Sequence, residues 1–390
     1  MINKILHQKH KWVTILLGIL ILFVVLFALL FVLLQASPKV GAYGADFLRK
    51  IIGNPAVATM ETVMFKTKDV INNFEYQIGI KKPSSPWVLS QTANSLGSGT
   101  SAGSSTSSNL PDQWSLPRIQ NAGSSQNAGV WVPYLQDQTG RVVAYRTFVQ
   151  PDPKRPYSVT AIVAVDMKHT RLNFVLGTVE PYAANTKNHA TGTIPNDNRA
   201  PGMLLAAFNG GFKYEHGQFG AFADGLTSAP PKPDLGTVAI YTDGKVKIGV
   251  WGSEITATKD VIAYRQNGPV LIDHGTISDK VNDPTLWGET ITGGVVTWRS
   301  GIALSKDNNT LYYVAGPSLT VASLAQTMTL VQAETAIQLD INNFWVNFEA
   351  MRVKNNTIYP EPLFPKEMNS DAIRFLGAYS RDYFYITTAK

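Results

Sequence analysis

From Trp12 to Leu34 the chain reads WVTILLGILILFVVLFALLFVLL, without a charge and with only Thr14 and Gly18 as mild interruptions. A helix of this run reaches roughly 35 Å, enough for a hydrocarbon core of about 30 Å. It is longer than a signal-peptide core of about 7–15 residues, so the pattern predicts a transmembrane signal anchor over 12–35 behind a cytoplasmic stub, 1–11. Lys4, Lys9 and Lys11 precede it, and Lys39, Arg49 and Lys50 follow. That is a slight bias toward a single-pass protein with its N-terminus inside and the bulk of the chain extracytoplasmic.

The next two stretches have different patterns. Over 36–82, Phe47, Leu48, Ile51 and Ile52, then Val57, Met60, Val63 and Met64, recur at helical spacing, with a break at Asn54-Pro55. This predicts a juxtamembrane segment of two short helices. Residues 83–128 are mostly Ser, Gly, Thr, Asn and Pro, as in SLGSGTSAGSSTSSN. Such a composition cannot bury a core and reads as a flexible linker.

From 129 to 390 the runs are short, apolar and β-branched, bounded by turn residues. Arg141–Val149, Tyr157–Val165 and Leu204–Phe208 read as strands. Asp243-Gly244, Asp307-Asn308-Asn309 and Asn355-Asn356 each sit between two such runs and predict hairpins. Thr320 is a good N-cap for a helix from Val321 to about Glu334, which leads into a strand, Ala336–Asp340. Tyr383–Thr387 reads as a closing strand. The expectation is an α+β domain, mostly antiparallel and β-rich.

Charge narrows the function. The formal net charge of +6 sits entirely in residues 1–125, with 11 Lys/Arg against 5 Asp/Glu. Residues 126–390 balance at 23 of each, so the folded part lacks the basic footprint of a nucleic-acid binder. With no Cys there are no disulfides, thiolate metal sites or cysteine nucleophiles. Walker, nucleophile-elbow and dinucleotide fingerprints are also missing.

One stretch carries candidate chemistry by itself. In LLAAFNGGFK (204–213) a strand-like run stops at Asn209-Gly210-Gly211. Two missing Cβ atoms allow φ > 0 and close approach, so the turn can aim backbone N–H groups at an anion. Asn-Gly is equally a hairpin signal, and these ten residues do not separate the two readings.

Five pieces in order supply a context: AAFNGGFK (206–213), GQFGAFADG (217–225), QNGPVLIDHG (266–275), WRSGIAL (298–304) and AIQLD (336–340). Together they resemble the phosphodiester glycosidase family across about 130–390. The resemblance implies a hydrolase acting on sugar-1-phosphodiesters of surface glycans or glycolipids. It makes the 209–211 turn one wall of an anion site. The implied catalytic residues are Asp340, Arg299 and Asn209, with Arg299 forking to the phosphate and Asp340 serving as the carboxylate at a strand end. Implied substrate contacts are Gly210, Gly211, Phe212, Asn342, Asn343 and His274. His216 and His274 are candidate proton carriers, and Asp224, Asp273 and Glu334 are lesser acids.

The chain departs from the family at one turn. Where the family has Asp-Gly-Gly-Gly-Ser, it reads Asp340-Ile341-Asn342-Asn343-Phe344. Ile341 resists φ > 0, so an altered turn is expected. The alternative reading is accordingly a carbohydrate- or wall-binding module on the same fold, with catalysis impaired. No cofactor or metal is called for, although calcium on the oxygen-rich 340–343 run is left open. The expected partners are the lipid bilayer and a carbohydrate phosphodiester.

Overall fold

The computed structural model describes residues 17–18, 38–87, 114–288, 296–368 and 372–389. The expected span at 12–35 lies outside them except for Leu17 and Gly18, which are helical. Among the described residues no helix is long and apolar enough to cross a membrane. The chain divides into two compact units, Met1–Val57 and Ala58–Lys390.

Helix α1 (Pro38–Ile52) belongs to the first unit and exposes Tyr43, Phe47 and Ile51 at one-turn spacing. Helix α2 (Asn54–Gln77) begins just after the left-handed Gly53, and all but its first turn belongs to the second unit. Its Asp69 accepts three hydrogen bonds of 3.0–3.1 Å from the Arg155 guanidinium. Asp69 also accepts one from the Tyr157 hydroxyl. Away from this clamp, Val63, Val70, Ile71 and Phe74 are exposed, three of them falling at helical spacing.

The composition-based linker is shorter than expected at both ends. Trp87 is buried in the main core of the second unit, and Trp114 packs against the same core. Ile119, Ala122 and Ala128 are buried there too, and Ser125 N–H donates to the Gln150 side chain at 2.8 Å. Residues 114–128 are therefore part of the domain. A few apolar anchors fix them, which an averaged composition dilutes. The chain that leaves at Trp87 returns to the same body at Trp114.

The strands follow in chain order. First come β1 (Val132–Gln136), β2 (Val142–Val149), β3 (Thr160–Asp166) and β4 (Thr170–Val175). Next are β5 (Leu204–Asn209), β6 (Ala221–Ala223), β7 (Leu226–Ala229), β8 (Gly236–Tyr241) and β9 (Val246–Val250). Then come β10 (Val261–Gln266), β11 (Val270–Asp273), β12 (Thr276–Ile277), β13 (Thr297–Leu304) and β14 (Thr310–Leu319). The last are β15 (Thr335–Gln338), β16 (Phe348–Lys354), β17 (Thr357–Pro362) and β18 (Tyr383–Thr388).

They form three sheets, in the orders β1-β2-β3-β14-β13-β15-β11-β12, β7-β6-β10-β8-β9 and β17-β16-β5-β18-β4. Every pairing between these strands is antiparallel, as the alternating runs and hairpin signals predict. Asn355 and Asn356 both take positive φ in the β16–β17 turn, the geometry that an Asn pair tolerates best.

Helix α3 (Val321–Leu330) has the expected Thr320 N-cap, reinforced by Ser323 in a reciprocal capping box. It stops four residues short of Glu334, because Gln332 turns left-handed. Leu324, Ala325 and Met328 are fully buried on its inner face. Between the first and third sheets lies an aromatic cluster. Tyr313 of β14 sits 4.9 Å from Phe208 of β5 and 5.1 Å from Phe348 of β16, and Phe384 of β18 lies 5.5 Å from Phe208. Each such ring removes about 150–250 Å² from water. This packing brings the C-terminal ends of β5 and β15 and the start of β18 to one place.

Candidate active site

At that meeting point the glycine turn is neither a hairpin nor an open anion cradle. Strand β5 is flanked by β16 and β18, and the next strand, β6, belongs to another sheet. Neither Gly210 nor Gly211 is left-handed. They are needed for close approach: a Cβ on Gly210 would stand 1.9 Å from Asp382 Oδ2, and one on Gly211 2.7 Å from Asn267 Oδ1. Gly210 N–H donates to the Asp382 carbonyl and Gly211 N–H to the Asp382 carboxylate, each at 3.1 Å. Phe212 N–H donates to the Asn267 side-chain oxygen at 2.9 Å. The anion held by this turn is a carboxylate of the chain itself.

Asn209 is a cross-link. Its amide nitrogen donates to Gly210 O (2.9 Å) and Ser300 Oγ (3.0 Å), and its amide oxygen accepts from the Tyr313 hydroxyl (2.9 Å) and Asn347 N–H (3.1 Å). Both donors and both lone pairs are used, which leaves nothing for a substrate. Asn209→Ala should therefore lower unfolding free energy by about 3 kcal/mol, because it strands several buried polar groups. Denaturant titration checks this. An Asn209 that served only the substrate would leave the midpoint where it is.

Arg299 also turns away from the expected place. It is buried, and its Nε donates to Leu319 O at 3.1 Å. Its Nη1 donates to Gln338 Oε1 at 2.6 Å and Trp287 O at 3.3 Å. Burial pushes its pKa down to about 9. The neighbouring Ser300, on the opposite face of β13 by strand alternation, is the residue that touches Asn209. Arg299 thus joins β13, β14, β15 and the Trp287 turn, while Ser300 links Asn209 to the Asp340 main-chain oxygen.

Asp340 does stand at the junction. Its Oδ1 accepts from Ile341 N–H (2.7 Å) and Asn342 N–H (2.9 Å), and its Oδ2 accepts from Arg381 Nη2 (2.8 Å). No residue from Asp340 to Phe344 is left-handed, so the departure from the glycine-rich family turn is closed by side-chain capping. The δ-methyl of Ile341 lies against Gly288, whose missing Cβ makes room for it. Asn342 Oδ1 caps Phe344 N–H at 2.9 Å, and Asn343 is exposed. With Asp340 and Asn342 already accepting from backbone N–H groups and a guanidinium on Oδ2, the 340–343 run does not fit a calcium ion.

The cation beside Asp340 is one that the sequence reading missed. Arg381 is 6% exposed, and its Nη2 donates to Gly211 O as well as Asp340, both at 2.8 Å. Its guanidinium lies over the Trp345 ring at 4.8 Å, and its buried Nε has no hydrogen-bond partner. Directly behind it, Asp382 and Arg265 form a fully buried ion pair at 2.8 Å. Arg265 also donates to Phe212 O at 2.5 Å and Gln266 O at 2.8 Å. Asn267 donates to Gln338 O and Leu339 O, fastening the start of β11 to the end of β15.

A second carboxyl, Glu180, adjoins Arg381 through the backbone: Val179 and Glu180 N–H both donate to Ser380 O. Burial raises the Glu180 pKa above the ordinary glutamate value, against the pull of Tyr214 N–H, Arg381 and Lys213. Sequence signals for these groups existed but were faint. Arg381-Asp382 is a charged doublet opening an apolar strand, and Arg265-Gln266-Asn267 is a polar run where a buried strand ends.

His274 is not near this site. It is exposed at the β11–β12 turn, where Gly275 N–H donates to Glu334 O. Glu334 and Asp340 lie beyond opposite ends of β15, six residues apart, or about 20 Å of strand. His216 lies 3.5 Å from Glu215 on a short 3-10 turn beyond Lys213. A groove of about 710 Å³ lined by Leu204, Leu205, Met351 and Arg352 lies at the start of β5, also away from Asp340.

Residues 204–340 match the model of the phosphodiester glycosidase family. Among solved structures, the chain is similar to the pro-peptide-inhibited catalytic domain of zebrafish N-acetylglucosamine-1-phosphodiester alpha-N-acetylglucosaminidase. That match has 13% identity over 65% of this chain and 86% of the other, with a TM-score of 0.38. It is also similar to a hypothetical protein from Synechocystis, at 12% identity over 66% of this chain and 64% of that one, with a TM-score of 0.35. No curated protein matches the chain.

Proposed function

Taking residues 204–340 as a segment of the phosphodiester glycosidase family, we propose that this chain is a membrane-anchored extracytoplasmic hydrolase that cleaves the glycosidic bond of sugar-1-phosphodiesters in surface glycans or glycolipids. The observation that carries the reading is Arg381. It is a buried guanidinium fixed by Asp340 and Gly211 O, with Nε–H unpartnered beside the family's strand ends. A phosphodiester has one negative charge and oxygen acceptors for such a donor.

Cleavage at the sugar carbon releases a phosphomonoester. This leaving group needs little protonation, so the greater demand is for a base that activates water. Glu180 takes that role: its raised pKa gives a stronger base than an ordinary carboxylate. Asp340 acts as a positioning residue that holds Arg381 and the 341–342 turn. The apolar run at 12–34 and the exposed face of α2, with Val63, Val70 and Phe74, support attachment to a bilayer. The second reading, a carbohydrate- or wall-binding module with impaired catalysis, rests on the 340–344 turn, which is capped by side chains where the family has glycines.

Release of sugar from an N-acetylglucosamine-1-phosphodiester by the full chain tests the proposal. The rate should rise as pH climbs through the raised Glu180 pKa, and Glu180→Gln should abolish that acidic limb. Stability should move the opposite way. Because the folded-state pKa lies above the unfolded one, the Glu180 contribution is complete below the ordinary glutamate value and lost as pH rises through the folded one. An acidic limb that persists in Glu180→Gln would remove Glu180 from the mechanism, and no sugar release from N-acetylglucosamine-, glucose- or mannose-1-phosphodiesters would refute the activity.

A further inference from the structure

We propose that Glu254, Asp273 and His274 form a site for a divalent transition-metal ion of the zinc or manganese type, about 20 Å along β15 from Asp340. Two separate segments supply the ligands, the turn after β9 and the β11–β12 turn, and Glu334, the residue before β15, stands beside them. His274 Nε2 lies 3.6 Å from Glu254 Oε1 and 3.7 Å from Asp273 Oδ1, and one ligand atom from each of the three residues falls within 4.8 Å of the others. These separations are too long for hydrogen bonds. They approach the spacing of two ligands on one ion, which at metal–ligand distances near 2.1 Å is about 3.4 Å in tetrahedral geometry.

The surroundings resemble those of a metal ligand set. Glu254 Oε2 is held by Val250 N–H at 2.7 Å, which fixes the carboxylate. The far nitrogen of the imidazole, Nδ1, faces Glu334 Oε1 at 3.6 Å, beyond hydrogen-bond reach, so Glu334 adds a third carboxylate charge beside the site. Lys247 is the competing cation, and its Nζ donates to the Glu254 main-chain oxygen at 2.7 Å. An imidazole among carboxylates favours zinc or manganese over calcium, which prefers an all-oxygen shell. Bound here, the ion would clip the turn after β9, in the second sheet, to β11 in the first. It would stabilise that junction without contributing to the chemistry at Arg381.

Calorimetric titration of the chelator-stripped full chain with zinc chloride, with a thermal melt run beside it, tests the site. Expected are one equivalent bound with a rise in Tm, both lost in His274→Ala, and at least tenfold weaker binding in Glu254→Gln. Glu254 is partly buried and His274 sits at positive φ, so the quantity compared is the rise in Tm on adding zinc, each protein against its own apo form. A wild-type chain that takes up no zinc, or a His274→Ala chain with unchanged stoichiometry and affinity, would overturn the proposal.

Discussion

Arg265→Met is expected to cost about 3–5 kcal/mol of unfolding free energy, because it leaves the Asp382 carboxylate buried without its cation. Both partners are fully buried, so no water can move in to solvate the stranded charge. The substitution also removes donors from Phe212 O and Gln266 O, so the glycine turn loosens as well. Adding Asp382→Asn to Arg265→Met should restore part of the loss, since the uncompensated charge is then gone while its shape remains. Denaturant titration of both single variants and the double gives the coupling directly. A loss below about 1 kcal/mol in Arg265→Met would mean that the pair does not organise the turn.

Arg381→Lys should behave differently. A lysine keeps a positive charge opposite Asp340 but lacks the planar fork that reaches Gly211 O and leaves Nε–H for a ligand. Stability should fall much less than in Arg265→Met, whereas kcat/KM should drop by about 10²–10³, the usual effect of deleting one preorganised donor from developing negative charge. Steady-state kinetics on a sugar-1-phosphodiester, with a melt as control, separates the two effects. Equal activity in Arg381→Lys would mean that the guanidinium is purely structural.

These two arginines show where reading the sequence succeeds and where it stops. Local signals were legible: the Asn355-Asn356 hairpin, the Thr320 cap, and the strand that ends at Asn209. Four of the motif pieces, 206–213, 266–275, 298–304 and 336–340, contribute residues that touch one another in the fold, through Asn209, Asn267, Ser300 and Asp340. The role of each side chain was not legible, because it depends on neighbours far along the chain. Asn209 and Gly210 read as donors for a ligand until Asp382, Ser300, Tyr313 and Asn347 are seen to occupy them. Arg299 matched the family position for a phosphate ligand, yet strand alternation places it away from Asn209. Arg381 carried only the faint signal of a charged doublet and Glu180 none, and they become candidates only when the turn after β4 meets the start of β18. The linker boundary failed for the same kind of reason: Trp114 and Ile119 matter through the core they enter.

The bond proposed to break lies between the sugar carbon and its phosphate oxygen, at a site built around Arg381. Hydrolysis of a sugar-1-phosphodiester by the full chain in ¹⁸O-water, followed by mass analysis of the phosphomonoester, tests it most directly. Unlabelled phosphomonoester, formed by the wild type and scarcely by Arg381→Lys, is the predicted result. Label in the phosphate would show cleavage at phosphorus, and the glycosidase reading would be wrong.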